Sequence, residues 1–492
     1  MKQVSRFPDI LLILLDATRA DHLSCYGYSR RTTPNLDRIA GEGVLYENAI
    51  SASCWTLESL ASILTGRFPS EHGAHWGNQS LGPALETLPA FLREAGYRTV
   101  CLSNNPCFLH RQSGLERGFE VFREIGYPLG PHAQRFRSAA FLEQLYRGLF
   151  FTRYRFDAYD KVVRDRTPFL RLLKRLYAKT IYGRVHLGAW ETNRWIRHYV
   201  RVRRKDPRPL FLMALYIDPH LPYHPPPRFA KRFLDGRWSR SRIRRVNQDA
   251  AAVFSGRIRM REEDFEYLSA LYDAELAYVD EKIGEIYDFL RRQGRLDETL
   301  ILVTADHGEA LGEQGMMDHR YSLHDALIRV PLIVRYPRHF PPGTRVRVQV
   351  QTTEIFPTLK AIVTGSPWDA PLLQATVSRE DRPAFSEYLV PQPLPPEEIE
   401  AGGSLGERNV GLKAIRADGF KLVLRSDGRR ALYDLAADRE EVLDVAPHHP
   451  SRADAMEEAL LRKIGGFATA QVSHAAPDRE DIKSRLKELG YL

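Results

Sequence analysis

Cysteines are few in this sequence and a long apolar run is absent, and both shortages narrow the class of protein. Its 492 residues include only Cys25, Cys54, Cys101 and Cys107, which are too few for a disulfide framework and lack the spacing of a zinc site. The apolar run Ile10–Leu15 is too short to span a bilayer, and no signal-peptide cleavage site accompanies it. We therefore expect a cytoplasmic protein.

The net positive charge of the chain comes from one segment, and the rest of the chain is slightly acidic. The 71 Lys and Arg outnumber the 62 Asp and Glu, which gives a net charge of +9. The segment Arg135–Arg208 alone has 20 basic and 6 acidic residues, so its charge is +14 and that of the remaining chain is −5. Two interpretations stay open: a solvated helical insertion whose arginine stems cover apolar surface, or a surface that attracts an anionic polymer or a membrane. We do not expect specific recognition of a nucleic acid.

Apolar segments with the length of strands alternate with segments of helical periodicity. The predicted strands are Asp9–Leu15, Leu45–Ile50, Thr99–Ser103, Leu210–Ile217, Thr299–Thr304 and Val330–Val334. The predicted helices are Leu36–Gly43, Leu57–Leu64 and Glu262–Arg292. This alternation predicts an α/β fold in which a parallel sheet lies between helices. In such a sheet, ligands bind at the carboxyl ends of the strands.

A proline-rich stretch, Pro367–Pro396, marks a boundary between two domains. We predict a catalytic α/β domain over residues 1–366, with a basic helical insertion at about 130–208. Residues 367–492 are predicted to form a smaller C-terminal α+β subdomain. Its signals are a hairpin, Phe420–Leu424 and Ala431–Leu435 around Asp427-Gly428, and a closing helix at Ala453–Ile464.

Aspartate and histidine stand where two of the predicted strands end. Asp16 follows the first strand, and Asp306-His307-Gly308 follows the strand Thr299–Thr304. A carboxylate that emerges from a buried strand needs a partner, which is either a divalent cation or the N–H groups of the next turn. An adjacent carboxylate and imidazole favour Zn or Mn over Ca, because Ca prefers oxygen ligands alone.

Further histidines follow in loops. Asp218, His220 and His224 come after a third strand, whereas His319 and His324 share one loop. Histidines on loops are usually solvated, so none of these indicates a site by itself. As a group, they supply additional ligands for a metal ion or a substrate.

Thr56 stands just before a predicted helix, in the segment Cys54–Ser62. Threonine is a favoured helix N-cap, and Glu58 or Ser59 lies near the position of a capping partner. A helix N-terminus also attracts anions, so a nucleophile placed there would meet a phosphate or a sulfate. The two roles compete for one hydroxyl, and the sequence leaves both open.

Several blocks, taken in this order, resemble the sulfatase family of the alkaline-phosphatase superfamily. The blocks are Asp9–Arg38, Trp55–Gly73, Glu86–Thr99, Thr304–Glu309, Arg329–Ile333, Lys421-Leu422 and Leu432–Leu435. They cover nearly the whole chain outside the basic segment. The resemblance implies an alkaline-phosphatase-like fold, which is a mixed, mostly parallel sheet flanked by helices with a smaller C-terminal subdomain.

The resemblance also implies a metal centre. Asp16, Asp306 and His307 would bind one divalent ion, and Thr56 would be both a ligand and the nucleophile. The mixture of carboxylate and imidazole makes Zn or Mn the expected ion rather than Ca.

Five further residues are expected to face the substrate. In the family pattern, His220 and His319 would contact substrate oxygens or protonate the leaving group. Arg19 and Asn78 would stabilise the nonbridging oxygens, and His224 is a further candidate for substrate contact. The expected partner is an anionic ester.

Three positions depart from the sulfatase pattern. Sulfatases carry a cysteine or serine at the position of Thr56 and convert it to formylglycine, but threonine cannot form that aldehyde and Cys54 is out of register. Ala17 replaces the second of two paired aspartates, and Leu60 replaces the arginine that supports the modified residue. We therefore expect no formylglycine and a closer relation to the threonine-nucleophile branch, which includes nucleotide phosphodiesterases and phosphoglycerol transferases.

Together, these features predict a metal-dependent, sulfatase-like hydrolase of phosphate or sulfate esters that forms a covalent intermediate on Thr56. Two alternatives remain. One is a phosphoglycerol- or phosphoethanolamine-type transferase, and the other is a non-catalytic module of the same fold that binds an anionic glycan or lipid. The cluster of Asp16, Asp306 and His307 with Thr56 argues against the module, because a scaffold has no physical reason to hold charged groups at strand ends.

Overall fold

The computed structural model describes residues 7–105, 108–110, 113–125, 188–203, 206–234, 236, 246–254, 256–392 and 409–467. The basic insertion predicted at about 130–208 lies largely outside the described residues, and its structure is given only from residue 188 onward.

Seventeen strands and twelve α-helices are formed by the described residues. The strands are β1 Asp9–Leu15, β2 Val44–Tyr46, β3 Ala49–Ile50, β4 Arg98–Ser103, β5 Val121–Glu124, β6 Leu210–Tyr216, β7 Thr299–Ala305, β8 Ala310–Leu311, β9 Met317–Asp318, β10 Arg329–Val330, β11 Leu332–Arg335, β12 Thr344–Val346, β13 Val350–Gln351, β14 Ala384–Tyr388, β15 Leu412–Ala417, β16 Phe420–Arg425 and β17 Arg430–Asp434. The helices are α1 Pro34–Gly41, α2 Thr56–Thr65, α3 Pro69–His72, α4 Leu88–Glu94, α5 Ala189–Val202, α6 Pro227–Phe233, α7 Ala250–Phe254, α8 Glu262–Arg292, α9 Asp325–Ile328, α10 Ile355–Thr364, α11 Pro371–Ala375 and α12 Pro450–Ile464.

An eight-stranded sheet forms the centre of the catalytic domain, in the order β12-β2-β11-β7-β1-β6-β4-β5. β1 pairs in parallel with both β6 and β7, and every residue of these three strands is buried. Strands that are covered on both faces are continuous apolar runs, which is why they were recognisable in the sequence. β11 runs antiparallel to β2 and β7. The predicted mixed, mostly parallel sheet flanked by helices is confirmed.

Two predicted strands are each divided in the structure. The prediction of a single strand at Leu45–Ile50 is wrong, because β2 belongs to the main sheet whereas β3 joins a separate sheet with β10 and β13. The prediction of a single strand at Val330–Val334 is also wrong, because this segment is divided at Pro331 into β10 and β11. Proline has no N–H group to offer a neighbouring strand, so pairing ends there and the chain passes from one sheet to the other.

The C-terminal subdomain has an antiparallel sheet in the order β14-β15-β16-β17. β16 and β17 form the predicted hairpin, and the predicted closing helix is α12, which packs on β15 and β16. The two layers enclose a second apolar core, to which Phe385, Ile415, Leu422 and Leu460 contribute.

The described end of the basic segment includes helix α5, which packs against α8. Arg197 on α5 pairs with Glu285 at 2.8 Å. The guanidinium of Arg123 lies 3.5 Å from the ring centre of Trp195 on the same helix. Here arginine side chains serve packing and ion pairing within the fold. The predicted attraction of an anionic polymer or membrane by residues 135–187 lies outside the described residues.

No helix in the described ranges is long and apolar enough to cross a membrane. Cys25, Cys54 and Cys101 are free thiols. The cytoplasmic location stays a prediction.

Helix α1 is capped by a carboxylate from another helix instead of its own N-cap residue. Thr33 precedes α1 without a capping hydrogen bond from its side chain. Asp280 of α8 accepts hydrogen bonds from the backbone N–H of Asn35 at 3.0 Å and of Leu36 at 2.8 Å, and from the Asn35 amide at 2.8 Å. Asp280 is 2% exposed, so these contacts replace the water that would otherwise satisfy the helix N-terminus.

Replacing Asp280 with alanine should therefore lower the free energy of unfolding by about 2–4 kcal/mol, because several buried N–H groups lose their acceptor. Urea unfolding of the purified protein measures this loss. Asp288→Ala is the matched control, since Asp288 lies on the same helix and pairs with Arg38 of α1 at 2.9 Å, but is 41% exposed. That exposed pair should contribute at most about 1 kcal/mol. Equal losses for the two variants would contradict the capping role.

Candidate active site

The candidate active site lies where neighbouring parallel strands end at one edge of the main sheet. Leu15 of β1 is opposite Ala305 of β7, so the next residues, Asp16 and Asp306, emerge side by side. His220 follows β6 on the other side of β1. The parallel register therefore brings together residues that are far apart in the sequence.

Three predicted residues converge on the imidazole of the fourth, His307. Its Nε2 lies 2.9 Å from Thr56 Oγ1, 3.7 Å from Asp16 Oδ1 and 3.5 Å from Asp306 Oδ2. All four side chains are fully buried. The sequence-based expectation that these residues meet agrees with this geometry.

Hydrogen bonding determines the tautomer of His307. Nδ1 donates to the backbone carbonyl of Gly308 at 2.8 Å, so Nε2 has the lone pair and the hydroxyl of Thr56 is the donor between them. Burial lowers the pKa of His307 to about 3, because a charged imidazole is unfavourable away from water. The neutral ring presents a nitrogen lone pair to the centre of the cluster.

The two carboxylates are each left with one oxygen unsatisfied. Asp16 Oδ2 accepts from Asn105 at 2.9 Å, and Asp306 Oδ1 accepts from the backbone N–H of His307 at 2.9 Å. Within the described residues, Asp16 Oδ1 and Asp306 Oδ2 are buried and have no hydrogen-bond partner. Burial and the charge of Asp306 raise the pKa of Asp16, and burial raises the pKa of Asp306 to about 6. Two such oxygens beside an imidazole lone pair and a hydroxyl form a donor set that suits a divalent cation.

Thr56 does not cap helix α2. Trp55 occupies the N-cap position, without a capping bond from its side chain, and Thr56 is the first helical residue. The hydroxyl of Thr56 is directed at His307 instead. The N-cap alternative is therefore wrong, while the location at a helix N-terminus is as expected.

His319 and His220 form a second row of imidazoles next to this cluster. The His319 ring stacks on His307 with centroids 4.1 Å apart, and the His220 ring lies 5.0 Å from His319. His319 Nδ1 contacts Asp318 at 2.9 Å and Glu309 at 3.4 Å. Burial alone would lower the pKa of His319, but these two acids outweigh it and raise the pKa to about 10.

Glu309, Asp318 and His319 make up a second group of metal-ligand types. Arg320 lies 2.7 Å from Asp318, so two acidic groups face two basic groups. This balance neutralises the group without a cation, and it acts as an ion-pair network. We therefore place the expected single ion with Asp16 and Asp306.

The remaining predicted site residues have other partners. The guanidinium of Arg19 binds Asp21 at 2.8 and 2.9 Å and also contacts Glu313. The amide of Asn78, an exposed residue, donates to the Gly73 carbonyl at 2.7 Å. Their contacts with substrate oxygens stay predictions.

His224 is half-buried on the loop after β6. Its backbone N–H donates to Glu275 Oε1 at 2.7 Å, which ties this loop to helix α8. Substrate contact by its ring also stays a prediction.

A family model, the sulfatase model, matches residues 8–365. This chain belongs to the sulfatase family. The arylsulfatase of Clostridium perfringens is 24% identical to it over 485 residues, which cover 93% of this chain and 95% of the relative. The N-acetylglucosamine-6-O-sulfatase of Bacteroides thetaiotaomicron is 25% identical over 396 residues and covers 73% and 68% of the two chains.

Solved structures agree with this assignment at the level of the fold. The phosphonate monoester hydrolase of Agrobacterium radiobacter has a TM-score of 0.64 and 21% identity, and the match covers 92% of this chain and 95% of that one. The predicted family, the alkaline-phosphatase-like fold and the class of ester hydrolase are confirmed.

The departures from the sulfatase pattern have structural counterparts in this family member. Leu60, in place of the arginine, is fully buried in the apolar core. Glu58 is also buried, its pKa is raised well above the ordinary value by burial, and the hydroxyl of Ser53 donates to it. Ala17 adopts φ 52, and its N–H lies 3.3 Å from Asp306 Oδ1. The positions that depart from the signature are therefore buried and packed or hydrogen-bonded within the fold.

Sequence reasoning missed Asn105 and Trp55. Asn105 lies just beyond β4 and donates to Asp16, so the strand-end rule that selected Asp16 and Asp306 would also have selected it. Trp55 has its ring 5.2 Å from both His319 and Phe108. Its position next to Thr56 was the available signal.

The raised pKa of Asp306 predicts how the chelator-treated protein responds to pH. An acid with a higher pKa in the folded state stabilises the fold while it is protonated. This contribution is complete below its ordinary pKa of 3.8 and is lost as the pH rises through about 6. A difference of about two pKa units corresponds to about 3 kcal/mol. Asp306→Asn should therefore be more stable than the wild type at pH 8, by up to this amount, and should lose that advantage at pH 4.

Urea unfolding in chelator at both pH values measures the difference. Asp369→Asn, at an exposed position, is the control and should show the same small effect at both. An advantage of Asp306→Asn that did not depend on pH would contradict the assignment.

Proposed function

We propose that this chain hydrolyses phosphate or sulfate esters through a covalent intermediate on Thr56, with one divalent metal ion. The supporting observation is the convergence of Thr56, Asp16, Asp306 and His307, in which two buried carboxylate oxygens have no hydrogen-bond partner within the described residues. Leaving such oxygens unsatisfied is costly unless a ligand pairs with them.

Asp16, Asp306, His307 and Thr56 would hold the ion, and their mixture of oxygen and nitrogen donors favours Zn or Mn over Ca. When bound, the ion supplies Lewis acidity that lowers the pKa of a neighbouring hydroxyl and offsets the negative charge of the carboxylates. No formylglycine is needed.

Thr56 is the nucleophile in the first step. Its hydroxyl gives up a proton to water, its oxygen forms a bond to phosphorus or sulfur, and the bond from that atom to the ester oxygen breaks. The departing oxygen takes a proton, for which the imidazoles of His319 and His220 lie next to the cluster. In the second step, water attacks the same atom and gives up a proton, the bond to Thr56 breaks, and the Thr56 oxygen takes a proton back. A monoester releases inorganic phosphate or sulfate, and a phosphodiester releases a phosphate monoester.

One nitrogen of the His319 ring is available to the substrate in this arrangement. Arg19 and Arg320 are each paired with acidic side chains, whereas His319 Nε2 is buried without a hydrogen-bond partner within the described residues. A protonated His319 would contact an anionic ester and donate to its leaving oxygen.

The substrate is an anionic ester, and we favour phosphate over sulfate. Thr56 cannot form the aldehyde of the sulfatases, and the threonine-nucleophile branch that the sequence resembles acts on phosphorus. The relatives named for aryl and N-acetylglucosamine sulfates make aryl and sugar esters of either acid the first compounds to test.

Thr56→Ala should lower kcat/KM by at least about 10³-fold while leaving the metal content near that of the wild type, because three ligands remain. Nitrophenyl phosphate, bis-nitrophenyl phosphate and nitrophenyl sulfate are the test substrates. Thr65→Ala is the matched control, since Thr65 lies on the same helix and its hydroxyl bonds only to the Ala61 carbonyl in the observed contacts. Acid quenching of the wild type should trap a phosphoryl or sulfuryl group on the peptide that contains Thr56.

Three outcomes would contradict this proposal. Full activity of Thr56→Ala would show that Thr56 is not the nucleophile. Hydrolysis of sulfate esters alone would overturn the preference for phosphate. A metal-free wild type that is inert toward the whole panel would favour the binding-module alternative.

His319→Gln tests proton donation to the leaving group. The loss in kcat/KM should be about 10²- to 10⁴-fold for alkyl esters and much smaller for nitrophenyl esters, because nitrophenolate leaves without a proton. Comparing the two series of leaving groups measures the effect. His339→Gln, beside Tyr336 and away from the cluster, is the control. An equal loss for both series would assign His319 to anion binding alone.

A further inference from the structure

A fully buried lysine of the C-terminal sheet faces the catalytic domain. Lys421 on β16 is 0% exposed. Its Nζ lies 2.5 Å from Asp325 Oδ1 and 2.7 Å from Glu441 Oε2, and it donates to the Leu323 carbonyl at 3.1 Å. The first two contacts are ion pairs and the third is a hydrogen bond. Together they place the lysine between the two parts of the chain.

The contacts of Lys421 end on a turn that supports the active site. Asp325 begins helix α9, and this turn accepts hydrogen bonds from the chain that follows His307. The N–H of Gly308 donates to the Leu327 carbonyl at 2.7 Å, and the N–H of Glu309 donates to the Ala326 carbonyl at 3.1 Å. The turn thus determines where the backbone after the metal-site histidine lies.

The turn and this backbone are in close contact. A Cβ atom on Gly308 would lie 2.0 Å from the Ala326 carbonyl oxygen, so glycine is required for the close approach. The same loop carries His319, which precedes Leu323 by four residues. A shift of the turn would therefore move both imidazoles of the site.

Glu441 supplies a second connection from the same subdomain. Its Oε1 accepts from the backbone N–H of Asp325 at 2.6 Å, and its carbonyl accepts from the amide of Gln314 at 2.8 Å. Glu441 adopts φ 55, in the left-handed region. This conformation costs free energy for a residue other than glycine, and the surrounding contacts offset that cost.

Removing Lys421 would leave buried acids without their main counter-charge. Among the described residues, Asp325 would keep an ion pair with the more distant Arg416, whose Nε lies 3.4 Å from Asp325 Oδ2. A buried carboxylate that loses its partner is strongly unfavourable, so the contact region opens to water instead. The turn then loses its fixed position.

We propose that Lys421 and Glu441 are positioning residues of the active site, which they stabilise through the turn at Leu323–Ile328. The C-terminal subdomain then affects catalysis through the contacts of these two residues with the turn. The kinetic part of this inference rests on the proposed ester hydrolysis, whereas its structural part does not.

Lys421→Met tests the structural part by hydrogen exchange of the full-length protein. The amides of Gly308 and Glu309 should exchange at least about 10-fold faster than in the wild type, while those of β1 and β6 keep their protection. Lys413→Met is the matched control. Lys413 is also buried in this sheet, on β15, and it also pairs with a buried acid, Glu387, at 2.8 Å. It donates to the carbonyls of Ile464 and Gly465 at 2.9 Å each, and none of these three partners lies in the turn. Unchanged protection of Gly308 and Glu309 in Lys421→Met would overturn the proposal.

Kinetics test the catalytic part. Lys421→Met should lower kcat about 10- to 100-fold with KM within about 3-fold, because misplaced imidazoles slow the chemical steps more than binding. Lys413→Met should keep kcat within about 3-fold. If the amides of Gly308 and Glu309 exchange faster in Lys421→Met but its kcat is unchanged, the positioning role is overturned.

Glu441→Gln keeps the size of the side chain and serves if Lys421→Met does not fold. Glu441→Gln should also speed the exchange of the Gly308 and Glu309 amides and lower kcat, but by less than Lys421→Met. If its exchange rates and its kcat equal those of the wild type, the proposal is overturned. If the wild type hydrolyses none of the esters, the proposed function fails, and the exchange measurements still decide whether the subdomain supports the turn.

Discussion

The pair of buried carboxylates, Asp16 and Asp306, is the constraint on which the active site depends. Two like charges in a buried site repel each other and lose their hydration, and within the described residues each carboxylate has one oxygen without a hydrogen-bond partner. The surrounding structure holds them in place despite this cost. The β1–β7 register sets them side by side, Asn105 and the backbone orient them, and the tautomer of His307 presents a lone pair in place of a third charge. A divalent cation bound here would offset the repulsion.

The chain belongs to the sulfatase family, and its nucleophile-helix block has residues that differ from the family signature. It has the apolar, buried Leu60 and a buried Glu58 that accepts a hydrogen bond from Ser53. Every residue of helix α2 is buried, so packing fixes the position of Thr56 at its first turn. Arg19 and Arg320 are held in ion pairs, whereas one nitrogen of the His319 ring has no hydrogen-bond partner among the described residues.

Much of this could be predicted from the sequence, because its two main signals are local. Continuous apolar runs identify β1, β6 and β7, and an acidic or histidine residue directly after a run marks a ligand position. What failed depends on partners that are distant in the sequence. The division of Leu45–Ile50 between two sheets reflects which strands lie beside it. Asn105 was within reach of the strand-end rule, whereas the link from Lys421 to the turn at Asp325 has no local signature.

The central position of β1 has a consequence for how the chain is made. Ala17 and Asp306, which meet at the end of this strand, are 289 residues apart, and both neighbours of β1 are synthesised long after it. The ribosome therefore releases the apolar run Ile10–Leu15 well before either neighbouring strand exists. Until β6 and β7 have been made, this run lacks the strands that pair with it, and exposed apolar strands favour aggregation.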